Sequence, residues 1–231
     1  MSKRLNAAAL RHPSAVASEL CGDQENLRMM NHPLLLAGAA LGGLYVAKLW
    51  RDDLRAAEAG QAKPGALPGA TRASRSAIVI AATGALMLLA LETAGELALG
   101  IATEQSRMTW LFALYSICGA SVIEELIFRG YLVMPNRGRA VLWAGIVAAS
   151  ALFALLHPYL WTTEGGFRLT LTTKGIFSTA ILFASSLWFY AARFGPWNPT
   201  RSLLPCFAAH AAKNAGVVAI KAAMGYMGGA W

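Results

Sequence analysis

An all-α fold, a polytopic membrane bundle of about six transmembrane helices, is what this sequence predicts, on three observations. The 231-residue chain is 56% hydrophobic and only 14% charged, which leaves too few polar side chains to cover a soluble domain of this size. Its apolar residues come in runs near the about 17–25 residues that a helix needs to cross a bilayer. Gly, Pro and basic residues collect between the runs, where turns and lipid headgroups are expected.

The formal charge of +8 would point to nucleic acid in a soluble protein. Here the Lys and Arg residues flank apolar runs, so they act as topology signals and as contacts to the lipid bilayer, and no nucleic acid is expected as a partner. Cys21, Cys118 and Cys206 form no C-x-x-C pair, and no disulfide framework is indicated.

In chain order, residues 1–32 read as a polar amino-terminal segment with scattered charge (Lys3, Arg4, Arg11, Glu19, Asp23, Glu25, Arg28) and no apolar core of signal-peptide length. A membrane-embedded domain is expected over residues 33–231. Its first span, 33–50, is closed by Lys48, Arg51 and Arg55, and 55–76 is a linker rich in Gly, Pro and Ala. The second span, 77–91, continues through Glu92 and Glu96 towards residue 102. Those two acids read as an interfacial helix end, because no His or Arg is spaced to meet them.

Residues 108–134 form the third span, and a basic turn (Pro135, Asn136, Arg137, Arg139) separates it from the fourth, 140–161. The fifth, 175–192, is an uninterrupted apolar run; after Gly195, Pro196 and Pro199 comes the sixth, 202–226. Counting sides alternately places the 55–76 linker together with Arg137, Arg139, Arg193 and Arg201, and this most basic side is expected to be cytoplasmic.

The third span carries S-V-I-E-E-L-I-F-R-G-Y-L-V-M over residues 121–134, two carboxylates and an arginine inside an apolar run. Ionisable residues at membrane depth cost a few kcal/mol each and mark a pathway or a reactive site. Glu125 and Arg129 are four apart, acid before base, the favourable order for a pair on one helix face. Glu124 lies about 140° around the helix from Arg129, so it is the freer carboxylate. F-A-L-L-H, residues 153–157, and H-A-A-K-N, residues 210–214, repeat the i,i+4 device with Phe153 and His157, and with His210 and Asn214. Lipid would reject these faces, so they are expected to turn into a shared interior. Glutamate, two histidines and an asparagine there make a hydrolytic inventory: a base for water, groups to tune it and donors for an oxyanion.

The order E-E-x-x-x-R, F-x-x-x-H, H-x-x-x-N along hydrophobic segments resembles the CPBP family, the CAAX-processing and bacteriocin-processing proteins also called the Abi family. The resemblance covers a core at about 108–224, motif by motif from 108 to 214. It implies a glutamic-type intramembrane endopeptidase, a CAAX prenyl protease 2-like hydrolase that needs no metal or other cofactor and acts on a membrane protein or peptide. A multi-pass protein of the bacterial cytoplasmic membrane is expected. Glu124 matches the glutamate that activates water with help from the histidine matched by His157. Glu125 and Arg129 match the pair that orders the motif helix, while His210 and Asn214 match the residues that hold the substrate carbonyl and its oxyanion.

Two features depart from the pattern. The prenyl-protein-processing branch resembles an eight-span architecture, against six apolar segments here. Lys213 stands between His210 and Asn214 where an apolar residue is expected, either facing the site or snorkelling away. Three other readings stay open: a zinc peptidase using a glutamate with His157 and His210, although no H-E-x-x-H is present; a cysteine nucleophile, Cys206, four residues before His210 on one helix face, although Cys118 and Cys206 read more simply as small apolar fillers between helices; and a non-enzymatic peptide-binding or immunity protein.

Overall fold

The structure is a computed structural model that describes residues 32–163 and 166–230. The amino-terminal segment expected at 1–32 therefore lies, except for His32, outside the described residues. Six helices follow: α1 (Pro33–Glu58), α2 (Arg75–Ala98), α3 (Trp110–Tyr131), α4 (Arg139–Leu156), α5 (Thr173–Phe194) and α6 (Leu204–Ala223). A two-stranded antiparallel hairpin, β1 (Trp161–Thr162) with β2 (Arg168–Leu169), interrupts them between α4 and α5.

Local chemistry sets the starts. Ser74, Thr109 and Thr172 each stand just before a helix and accept a hydrogen bond from the backbone N–H three residues on: Ala77 at 3.1 Å, Phe112 at 3.3 Å and Gly175 at 3.0 Å. Pro33 opens α1 and Pro205 lies in the first turn of α6, where a missing N–H costs nothing. The fourth span ends earlier than expected. His157 precedes Pro158, whose ring pushes the preceding residue out of the helical region, and His157 caps α4 at φ −81°, ψ 128°.

Among the described residues five helices, α1 to α5, are long and apolar enough to cross a membrane. The sixth expected span, α6, falls short of that apolarity because it carries His210, Lys213, Asn214 and Lys221. It is nonetheless enclosed: it packs chiefly along α2, and His210, Lys213 and Lys221 are buried. Leu41, Leu44, Val79, Met87, Leu91 and Val147 point outward and are exposed, which in a bilayer places them against lipid.

Hydrogen bonds tie the loops into two ends. At one end Leu203 N–H donates to the Gly69 carbonyl (3.0 Å) and the Ser202 hydroxyl to the Thr71 carbonyl (2.6 Å), joining the α1–α2 linker to the α5–α6 turn. At the other, Met108 N–H donates to the Tyr226 carbonyl (3.0 Å) and Lys221 Nζ to the Ser106 carbonyl (2.6 Å). The linker and the Arg193–Arg201 turn thus share a side, as alternate counting expects.

Gly43 of α1 meets Gly119 of α3 so closely that a Cβ on Gly43 would stand 2.4 Å from the Gly119 Cα. Two small residues let these helices approach backbone to backbone. Gly43→Leu should push α1 away and lower stability by about 1–3 kcal/mol, read as an earlier thermal transition of the purified protein in detergent. An unchanged transition would mean that α1 is dispensable to the fold.

Candidate active site

The site is built on an irregular helix. Within α3, Ser116–Ala120 and Leu126–Tyr131 wind as π-helix and flank the regular turn Ser121–Glu125. Each wide turn loosens the backbone ladder and leaves carbonyls in need of partners. Neighbouring helices provide them. Asn214 Nδ2 donates to the Ser116 carbonyl (2.7 Å), the Tyr190 hydroxyl to the Phe128 carbonyl (2.7 Å) and Arg193 Nη1 to the Gly130 carbonyl (3.4 Å).

Between the two wide turns the motif residues gather. Arg129 Nη1 donates to Glu125 Oε1 at 3.1 Å, and both side chains have 0% exposure. The guanidinium lies over the rings of Phe153 (4.6 Å), Tyr190 (5.0 Å) and Phe189 (5.1 Å), and its Nη2 donates to the Ser186 hydroxyl (2.6 Å) and carbonyl (3.2 Å). Opposite it, His210 Nδ1 is 2.8 Å from the same Glu125 Oε1. A carboxylate only accepts, so Nδ1 carries the proton of that bond and Nε2 faces the other way, 3.9 Å from Glu124 Oε2. Stacking on Phe189 (5.0 Å, 19°) and an edge contact with Phe153 (6.3 Å, 77°) fix the imidazole plane.

The two glutamates thus differ as their helical positions require. Glu125 is sealed between a cation and an imidazole. Glu124, at 29% side-chain exposure, makes no contact with Arg129 and can meet a third molecule. Together with His210 they form a carboxylate–imidazole–carboxylate line inside apolar walls, where charge acts strongly.

His157 and Asn214 stand apart from this line. Among the described residues no carboxylate comes within 4.0 Å of His157; its Nδ1 bonds the Phe153 carbonyl (2.8 Å), and its ring lies 5.0 Å from the Phe153 ring and stacks with Tyr159 at 6.5 Å. Because a carbonyl only accepts, the neutral imidazole keeps its lone pair on Nε2. Asn214 spends one amide hydrogen on Ser116 and retains a second. The structure brings Glu124, Glu125, Arg129 and His210 together and sets His157 and Asn214 on adjoining turns.

Sequence spacing missed a second polar network beside the first. Lys213 is buried, its Nζ 3.0 Å from Glu92 Oε2 and 2.9 Å from the Ser185 hydroxyl. Lys174 pairs with Glu96, which also accepts from Gln105 Nε2 at 2.7 Å. Glu92 and Glu96 are therefore not an unpartnered helix end. Their partners are lysines on α6 and α5, far off in sequence, which spacing within α2 could not reveal. Lys213 neither snorkels nor points at His210. Cys206, four residues before His210, is fully buried with its thiol on the Phe189 carbonyl (3.2 Å), so it is not presented to the imidazole. Among the described residues no three His, Cys, Asp or Glu side chains are grouped as metal ligands would be.

Residues 106–216 match the family model described as type II CAAX prenyl endopeptidase, Rce1-like. No curated protein and no solved structure matches the chain.

Proposed function

Residues 106–216 are an Rce1-like core of the CPBP family of membrane proteases, and from that premise we propose that the protein is a glutamic-type, metal-independent intramembrane endopeptidase. Its substrate is the peptide bond of a membrane-associated protein or peptide, and its setting is the bacterial cytoplasmic membrane. The single observation that carries this reading is the line Glu124–His210–Glu125, with one carboxylate locked and the other free inside a helical bundle.

In this reading Glu124 takes a proton from water, and the resulting hydroxide attacks the scissile carbonyl. The carbonyl electrons move onto oxygen. His210, oriented by Glu125, offers Nε2–H to that oxygen when its ring carries both protons, and the second amide hydrogen of Asn214 is the other donor. The lone pair of His157 Nε2 helps to hold the attacking water. Collapse of the intermediate expels the amine, which leaves with the proton Glu124 had taken.

Hydrolysis in ¹⁸O-water tests the reaction class. The purified protein in liposomes, given a membrane-associated peptide, should place one ¹⁸O in the new C-terminal carboxyl, and a strong chelator should leave the rate unchanged. Activity lost on chelation and restored by zinc would replace this reading with a zinc peptidase. A peptide bound but never cut, across a peptide library, would favour a binding protein.

A further inference from the structure

Two adjacent serines on α5 each hold a cation from a different helix of the site. Ser186 takes Arg129 of α3, through its hydroxyl at 2.6 Å and its carbonyl at 3.2 Å. Ser185 takes Lys213 of α6, hydroxyl to Nζ at 2.9 Å. Both serines are buried, with 1% and 0% exposure for Ser185 and Ser186. The Ser186 hydroxyl, accepting from Arg129, donates onward to the hydroxyl of Ser150 on α4 at 3.0 Å, and Ser150 is itself fully buried.

We propose that Ser186, backed by Ser150, and its neighbour Ser185 are positioning residues that set the catalytic helices α3 and α6 in register on α5; the inference rests on the hydrolase reading above. The chain of contacts is unbroken. Ser150 orders the Ser186 hydroxyl, Ser186 orders the Arg129 fork, Arg129 holds Glu125, and Glu125 fixes the ring of His210 whose Nε2 faces Glu124. Ser185 acts on the helix that carries His210: Lys213 is one turn beyond His210, and its contacts with Ser185 and Glu92 oppose rotation of α6.

The energetics favour this role over simple packing. Arg129 has 0% exposure, and a buried guanidinium whose acceptors are removed either reorients or weakens its pair. Rotation of the fork moves Glu125 Oε1, and both Arg129 and His210 are bound to that same oxygen. A small displacement there is therefore delivered to the reacting atoms without either serine touching substrate. Misplacement by about 1 Å can cost on the order of 10² in rate.

The experiment compares the full-length protein in liposomes with Ser186→Ala, Ser186→Thr, Ser150→Ala and Ser178→Ala, measuring kcat, KM and the melting temperature of each. Ser178 is buried two turns earlier on α5 and contacts neither cation. Ser186→Ala should lower kcat by about 10- to 100-fold with KM unchanged. Ser186→Thr, which keeps the hydroxyl, should recover most of it; Ser150→Ala should show the same signature more weakly, and Ser178→Ala should match the wild type. Wild-type kcat in Ser186→Ala overturns the inference, as does a loss that Thr does not relieve and that follows the melting temperature across all four variants. A wild-type protein that cuts no peptide would instead refute the hydrolase reading.

Discussion

Glu124→Gln should lower peptide cleavage by about 10²- to 10⁴-fold while leaving the amount of folded protein in the membrane unchanged. The substitution preserves volume and the capacity to hydrogen-bond but removes proton acceptance. The carboxylate is partly exposed, and its nearest ionisable neighbour, His210 Nε2, stands 3.9 Å away, so the packing depends little on the lost charge. Initial rates on a fluorogenic membrane peptide, normalised to monodisperse protein, measure the effect. Near-wild-type cleavage by purified Glu124→Gln would remove the glutamic mechanism altogether.

The second large effect concerns stability. Arg129→Leu should destabilise the protein by about 3–5 kcal/mol, because it leaves Glu125 buried without its cation. Glu125→Gln should act in the same direction, from the opposite partner. The double variant Glu125→Gln/Arg129→Leu should regain part of the stability and none of the activity, since the uncompensated charge is gone while His210 has lost its carboxylate. Unfolding followed by denaturant titration in detergent separates these cases. A single Arg129→Leu as stable as the wild type would show that the ion pair does not hold this part of the core.

The difference in kind between the two glutamates was legible from the sequence because it depends only on spacing within one helix. Four residues separate Glu125 from Arg129, and no fold is needed to see that they meet. The site's long-range bond, His210 to Glu125, spans 85 residues, and spacing could offer His210 only as a candidate; the order of motifs in the resembling family supplied the rest. The environment of Arg129 was illegible for a different reason. Ser186 and Ser150 are small polar residues in otherwise apolar runs, with no period of their own, and such residues also serve as ordinary helix contacts. The lysine partners of Glu92 and Glu96 were hidden in the same way, since only tertiary packing brings α2 against α5 and α6. The early end of α4 was in the sequence, in the proline after His157, and the apolar run through Trp161 concealed it.

The two wide turns of α3 also bear on how chains of this kind can be aligned, repaired or shortened. A π turn is in effect one residue inserted into a regular helix, held open by side chains from other helices that occupy the displaced carbonyls. Removing one residue from the first of them would let α3 close into an ordinary α-helix, and everything beyond it would be turned by about 100° relative to everything before. The glutamates would then face a different neighbour although no motif letter had changed. The tolerance of this helix to gaps is therefore unequal along its length: it holds two built-in insertions, and each works as a dial that sets which wall of the bundle the carboxylates address.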